Sequence, residues 1–294
     1  MAITKVAVAG GTGNLGPAVV NALVEANFQV TLLSRSSTNE INSQVKTQVV
    51  DYNSLDSLVT ALTGQDAVVD VLPSGSIPVE FPLRLIEAAH KAGVQRYIPS
   101  EYGCDTFHPL TSKLPVFADK VTVINRLKEI SAQDSAFTYT PIITGPFFDW
   151  GLKMKFTINL SGPSTPIYDG GDSPFSTTTL AGIGRAIAGV LEHPEETKNR
   201  TVYVSQAEIT QNKLLAWSGK TIEREDISTA DLEKKAYEAV KLSPPDFRTF
   251  AVNLIRLAVF NPAYGSAFAK TDNELLGVHR FSEAEIVDLV KQYS

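Results

Sequence analysis

The first hundred residues alternate short apolar runs with segments of helical period. Residues 3–9 (ITKVAVA) read as a buried strand and residues 15–26 as a helix. A second strand falls at 29–33 (QVTLL) and a third at 47–50. Asn53 or Ser54 can cap a helix reaching Leu62, with Gly64 as its stop. Residues 67–72 (AVVDVL) predict a fourth strand, a helix over 82–91 stops at Gly93, a fifth strand falls at 96–99 and a sixth at 138–143. Apolar strands separated by helices predict a parallel sheet covered on both faces. Right-handed crossovers then place ligands at the C-terminal ends of the strands. The expected class is α/β, a Rossmann-type doubly wound sheet.

The pattern changes after residue 150. Prolines and glycines crowd residues 162–174 (GPSTPIYDGGDSP), which read as an irregular connection. A helix over 179–191 and a β-rich run at 201–205 are expected to return to the main sheet. Further helices are predicted at 228–240, 247–259 and 282–292. The expectation is a nucleotide-binding domain over 1–150, rejoined by about 176–205. A smaller substrate-binding domain would span 151–294.

The first strand runs into Gly10-Gly11-Thr12-Gly13-Asn14-Leu15-Gly16. Glycines there allow a tight turn and close approach of the backbone to a pyrophosphate, which the following helix N-terminus favours. Gly10, Thr12, Gly13, Asn14, Leu15 and Gly16 are therefore candidate cofactor ligands. NAD sites place an acidic residue about 20 residues past such glycines. This chain reads Leu33-Ser34-Arg35-Ser36-Ser37, with no acid before Glu40. A guanidinium suits a 2′-phosphate, so Arg35 points to NADP. Leu72, Pro73 and Ser74 should border the cofactor. Asp51 could approach its adenine end or simply cap a helix. Ser100 could bond substrate or nicotinamide, or be a turn serine.

Residues 115–131 (PVFADKVTVINRLKEIS) predict a helix with proline in its first turn. At about 100° per residue, Val116, Val123, Ile124, Leu127 and Ile130 share one arc, with Lys120 near its middle. Asp119, Arg126, Lys128 and Glu129 fall outside it. A lysine on an apolar arc costs free energy unless its stem snorkels or its head reaches a pocket. In a pocket near a helix N-terminus its amine could exchange a proton with substrate. The geometry alone leaves both readings open.

Composition narrows the function. Hydrophobic residues are 43% and charged residues 20%, ordinary for a soluble globular chain. The net charge of −6 offers no field for nucleic acid or anionic lipid. Cys104 is the single cysteine, which rules out an intrachain disulfide or a paired-cysteine metal centre. The four histidines, His90, His108, His193 and His279, lack metal-ligand spacing, so no metal is expected. No apolar run suggests a signal or a membrane span, and a cytoplasmic protein, monomer or homodimer, is expected.

Together these residues resemble the isoflavone-reductase-like branch of the NmrA-like family, atypical short-chain dehydrogenase/reductases. Residues 10–16 look like the family's GGTGxxG turn. Ile98-Pro99-Ser100-Glu101-Tyr102-Gly103 is close to its IPSEFG segment. Val116-Phe117-Ala118-Asp119-Lys120 matches the segment that carries its catalytic lysine, followed by Phe137-Thr138-Tyr139-Thr140. Residues 272–278 (DNELLGV) are similar to fungal members. The resemblance implies NADPH, a small aromatic or conjugated substrate, and Lys120 as the acid/base. One departure is Gly182-Ile183-Gly184, where relatives often carry Asp-Ile-Gly. Another is the aromatic stretch at 145–150, so plant substrates do not carry over.

Tyr102, Phe147, Phe148 and Trp150 are candidates for the substrate wall, with core packing an equal competitor for the last three. The loop over 103–114, with His108, could cover the substrate. Tyr237 and Lys241 fit the YxxxK spacing of ordinary short-chain dehydrogenases but lie far from the fifth strand. A rival class is a dinucleotide-sensing regulator that binds the cofactor without catalysis.

Overall fold

In the computed structural model, which describes residues 2–36 and 43–294, the first half of the chain builds one parallel sheet. The strands and helices come in the order β1 (Lys5–Ala9), α1 (Gly16–Glu25), β2 (Gln29–Ser34), β3 (Lys46–Val49), α2 (Leu55–Leu62) and β4 (Ala67–Asp70). Then come α3 (Glu80–Lys91), β5 (Arg96–Ile98), α4 (Ala118–Gln133) and β6 (Thr138–Tyr139). The six strands lie in the order β3-β2-β1-β4-β5-β6, all parallel. Ser54 caps α2 by accepting the Ser57 amide, and Gly64 and Gly93 take positive φ where two helices end.

Successive strand residues point to opposite faces, and the two faces feed different cores. Val6, Val8 and Val69 pack with Val19, Val20 and Leu23 of α1. Ala7, Ala9 and Val68 pack instead with Leu58, Leu62, Leu85, Ile86, Ile124 and Leu127 of α2, α3 and α4. Burial on both faces explains why these strands read as unbroken apolar runs. Each fully buried leucine contributes about 1.5–3 kcal/mol relative to an exposed one.

The expected sixth strand is split by Pro141, which has no N–H to give to a ladder. β6 pairs with β5, while β7 (Ile142–Ile143) leaves the main sheet. After α5 (Phe148–Lys153), the run expected to be irregular contains β8 (Ser164–Tyr168), and β9 (Phe175–Thr177) follows it. Next come α6 (Leu180–Glu192) and β10 (Val202–Tyr203), which pairs with β7 and so returns beside the six-stranded sheet without joining it. α6 supplies Ile183, Ala186, Ile187 and Val190 to the core under α1.

β11 (Ala207–Ile209) runs antiparallel to β9, and α7 (Gln211–Ser218) leads to β12 (Glu223–Ile227), parallel to β8. Among the described residues β8 has only that one neighbour, so Pro166 needs no second ladder partner. α8 (Thr229–Ala239) and α9 (Phe247–Phe260) follow, then α10 (Asn273–Leu276) and α11 (Glu283–Gln292). A third core forms here around Phe148, Tyr168, Phe175, Leu254 and Phe260. The tail segment is architectural. Asn273 gives its amide to Ser205 O and accepts Ser205 N, and Arg185 of α6 donates to Leu276 O. Among the described residues no helix is long and apolar enough to cross a membrane.

Candidate active site

The glycine turn lies against the C-terminal end of β4. A Cβ on Gly10 would sit 2.7 Å from Val71 O, and one on Gly16 would sit 2.1 Å from Gly11 O. Both glycines are needed for backbone contact inside the protein. Gly13 differs: its added Cβ would meet only Gly10 O, at 3.3 Å, with open space beyond. Thr12, Gly13 and Asn14 are exposed, Leu15 is buried, and no side chain caps the first amides of α1. The turn is thus a cradle that a side chain at residue 13 would fill, open beside free helix N–H groups. That fits a pyrophosphate.

Arg35 follows β2, exposed, and makes no hydrogen bond or ion pair with another described residue. Ser37 and Glu40 lie outside the described residues. Asp51 turns the chain by accepting the Asn53 amide at 2.8 Å, so its carboxylate serves the entry to α2.

Beyond the turn, Leu72, Pro73, Ser74, Ser100 and Lys120 line one small cavity of about 30 Å³, together with Asp70, Glu101 and Asp119. Ser100 Oγ donates to Leu72 O at 2.8 Å, which ties the end of β5 to the end of β4 and leaves the oxygen able to accept. The segment expected as one helix opens with a 3-10 turn over Pro115–Phe117, and α4 proper begins at Ala118. Lys120 therefore occupies the first turn of α4. Val123, Ile124, Leu127 and Ile130 are buried along the predicted arc, and Lys120 is half-buried. Its Nζ donates to Glu101 O at 2.9 Å.

Carboxyl groups missed by the sequence reading stand behind this lysine. Asp70 is fully buried, takes hydrogen bonds from Leu72 N and Tyr97 Oη, and is pushed up to about 6 by burial. Glu101 is 1% exposed; Thr106 Oγ1 donates to its Oε2 at 2.5 Å, and its Oε1 has no hydrogen-bond partner among the described residues. Burial raises the Glu101 carboxyl, while Lys120 and the Thr106 bond oppose the rise. A Glu beside a proline-serine turn carries no sequence sign of burial; the loop over 103–106 folds back to supply it.

The aromatic candidates separate. Phe148 is fully buried in the third core, where it packs with the C-terminal helices and is closed to a ligand. Phe147 and Trp150 are half-buried and pack edge-to-face at 6.3 Å, but neither lines the cavity with Lys120. Tyr102 is buried with a hydroxyl that has no hydrogen-bond partner among the described residues. The loop over 103–114 is fastened down: Tyr203 Oη donates to Asp105 at 3.2 Å, and Thr111 Oγ1 donates to Tyr264 O at 2.8 Å. Gly265 leaves room for the His108 ring. Burial pushes the Cys104 thiol up to about 12, so it is inert near neutral pH. Tyr237 lies exposed on α8, remote from the sheet ends, so its YxxxK spacing is fortuitous.

Residues 3–246 match the family model described as NmrA-like family. The chain belongs to the NmrA-like family. Oxidoreductase poxI of Penicillium oxalicum is 30% identical over 98% of this chain and 94% of its own length. Oxidoreductase aprR of Aspergillus flavus is 36% identical over 72% of this chain and 71% of its own. The solved structure "AtPrR2 with NADP+ and (+)pinoresinol" matches all of both chains with a TM-score of 0.77 at 19% identity, a likeness of fold.

The Gly182 departure also has a physical account. A Cβ at residue 182 would lie 2.3 Å from Gln206 Oε1. That oxygen accepts from both the amide and the hydroxyl of Thr179, which itself caps α6. In this NmrA-like protein Gln206 supplies the acceptor, and glycine at 182 makes room for it.

Proposed function

We propose that this protein is an NADPH-dependent reductase of a small aromatic or conjugated molecule, with Lys120 as its acid. The carrying observation is Lys120 itself. It stands half-buried in the first turn of α4, held by Glu101 O, in a cavity walled by Leu72, Pro73, Ser74 and Ser100 at the C-terminal sheet edge. Ligands of doubly wound sheets bind at that edge. Family membership and the relatives named as oxidoreductases support the same reading.

Gly10 through Gly16 would hold the pyrophosphate and Arg35 the 2′-phosphate. When bound, the dinucleotide would supply the hydride. Lys120 would donate its proton to, or stabilise, the substrate oxygen on which negative charge develops. Ser100 would hold the nicotinamide side of the site through its free lone pairs. Tyr102, Phe147 and Trp150 are the remaining candidates for the substrate wall, and a smaller domain within 151–294 would complete it.

The test is single-turnover oxidation of NADPH against a panel of aromatic enones, ketones and quinones. The wild type should turn over at least one class. Lys120→Met should bind NADPH normally and react roughly 10²- to 10⁴-fold more slowly, the usual contribution of an acid/base group. A Lys120→Met rate within about threefold of wild type overturns the role. NADPH binding without turnover across the panel, joined to capture of a specific protein partner, would favour the regulator.

A further inference from the structure

Glu101 is a costly residue to bury. Its carboxyl is 1% exposed, forms no ion pair among the described residues, and leaves Oε1 with no partner. An unpaired buried carboxylate is tolerated when a nearby charge or bound water compensates it. The compensating charge at hand is Lys120. The two residues line the same cavity, whose volume of about 30 Å³ is room enough for water, and the Lys120 ammonium bonds to the main-chain oxygen of Glu101. Asp70 has both oxygens satisfied and Ser100 bonds to Leu72 O, while Asp119, half-buried on α4, lines the cavity as well, and Cys104 and Asp105 of the following loop stand near the pair. Thr106 fixes the Glu101 carboxyl from the far side.

We propose that Glu101 is a positioning residue for Lys120: its carbonyl aims the amine into the cavity, and its buried carboxylate is the counter-charge that stands behind it. The assignment rests on the role given to Lys120 above. It adds a second residue to the site and gives a reason for an acid in a turn where only the serine bonds to the opposite strand end.

The experiment is competitive acetylation at pH 8. The reactivity of Lys120 toward acetic anhydride is measured by peptide mass spectrometry and normalised to the exposed Lys291. Only a neutral amine reacts. An opposite charge within about 4–6 Å shifts such an equilibrium by roughly tenfold or more. Glu101→Gln keeps the size and the acceptor for Thr106 but removes the charge, so Lys120 should label about tenfold faster. Glu101→Asp keeps the charge but withdraws it, and should fall between. Labelling of the Gln protein within twofold of wild type overturns the proposal. Should the Gln protein not fold, Thr106→Val decides by the same readout. Loss of its bond makes the carboxylate harder to ionise, so faster labelling supports the proposal and an unchanged rate overturns it. The measurement needs neither cofactor nor substrate. A failed reductase assay therefore leaves it standing, and a failed labelling test leaves the reductase reading standing.

Discussion

The Tyr97 hydroxyl donates to the Asp70 carboxyl at 3.0 Å inside the parallel sheet, joining the last residue of β4 to the middle of β5. The other carboxyl oxygen accepts from Leu72 N, so one aspartate fixes the bend that presents Leu72, Pro73 and Ser74 to the cavity. Burial raises this carboxyl from 3.8 to about 6.

The raised value has a defined sign. The folded state holds the Asp70 proton more tightly than the unfolded chain does. Its contribution to stability is complete below about pH 4 and is lost as pH rises through about 6. The loss amounts to about 3 kcal/mol. Asp70→Asn, which cannot ionise, should gain on wild type by that amount between about pH 4 and pH 7. Urea unfolding at four pH values tests it, and a constant gap between the two proteins would refute the assignment.

Arg35 is expected to set the cofactor preference. NADPH should bind more tightly than NADH, and Arg35→Ala should remove most of the difference. A charged hydrogen bond is worth roughly 1.5–3 kcal/mol, or about 10- to 150-fold. Calorimetric titration of both cofactors checks this; equal affinities in the wild type would count against it.

Two glycines in one turn should behave in opposite ways. Gly13→Val places a side chain in open space, so the protein should fold with nearly unchanged thermal stability and lose NADPH affinity. Gly16→Ala forces a Cβ to 2.1 Å from Gly11 O, so it should lower the melting temperature before any effect on binding is read. Unaltered NADPH affinity in the Val protein would mean the turn holds no phosphate.

Much of this architecture is legible along the chain, and the exceptions share a cause. The strands buried on two faces announce themselves, as Val6, Val8, Val68 and Val69 do. β12 does not, because Glu-Arg-Glu-Asp-Ile is mostly exposed and pairs only with the proline-bearing β8. Lys120 is visible because a charge interrupts an apolar helical arc. Glu101 is invisible, because its burial depends on the loop that folds over it. The cluster Phe147, Phe148 and Trp150 shows the limit plainly: adjacent aromatics, one in the core and two at its margin, with no periodicity to tell them apart before α5 is placed.

The tail segment that grips α6 carries a consequence for synthesis. Val19, Val20 and Leu23 of α1 share their core with Ile183 and Ile187, and α6 is in turn covered by Leu276. Asn273 bonds to both the main-chain N–H and the main-chain oxygen of Ser205. On the ribosome the α1 side of the opening sheet therefore stays incompletely covered until α6, and then the segment that covers it, has emerged. The span in which an apolar surface stands open to chaperones or to aggregation is set by translation time across residues 26–276, not by the folding speed of the strands themselves.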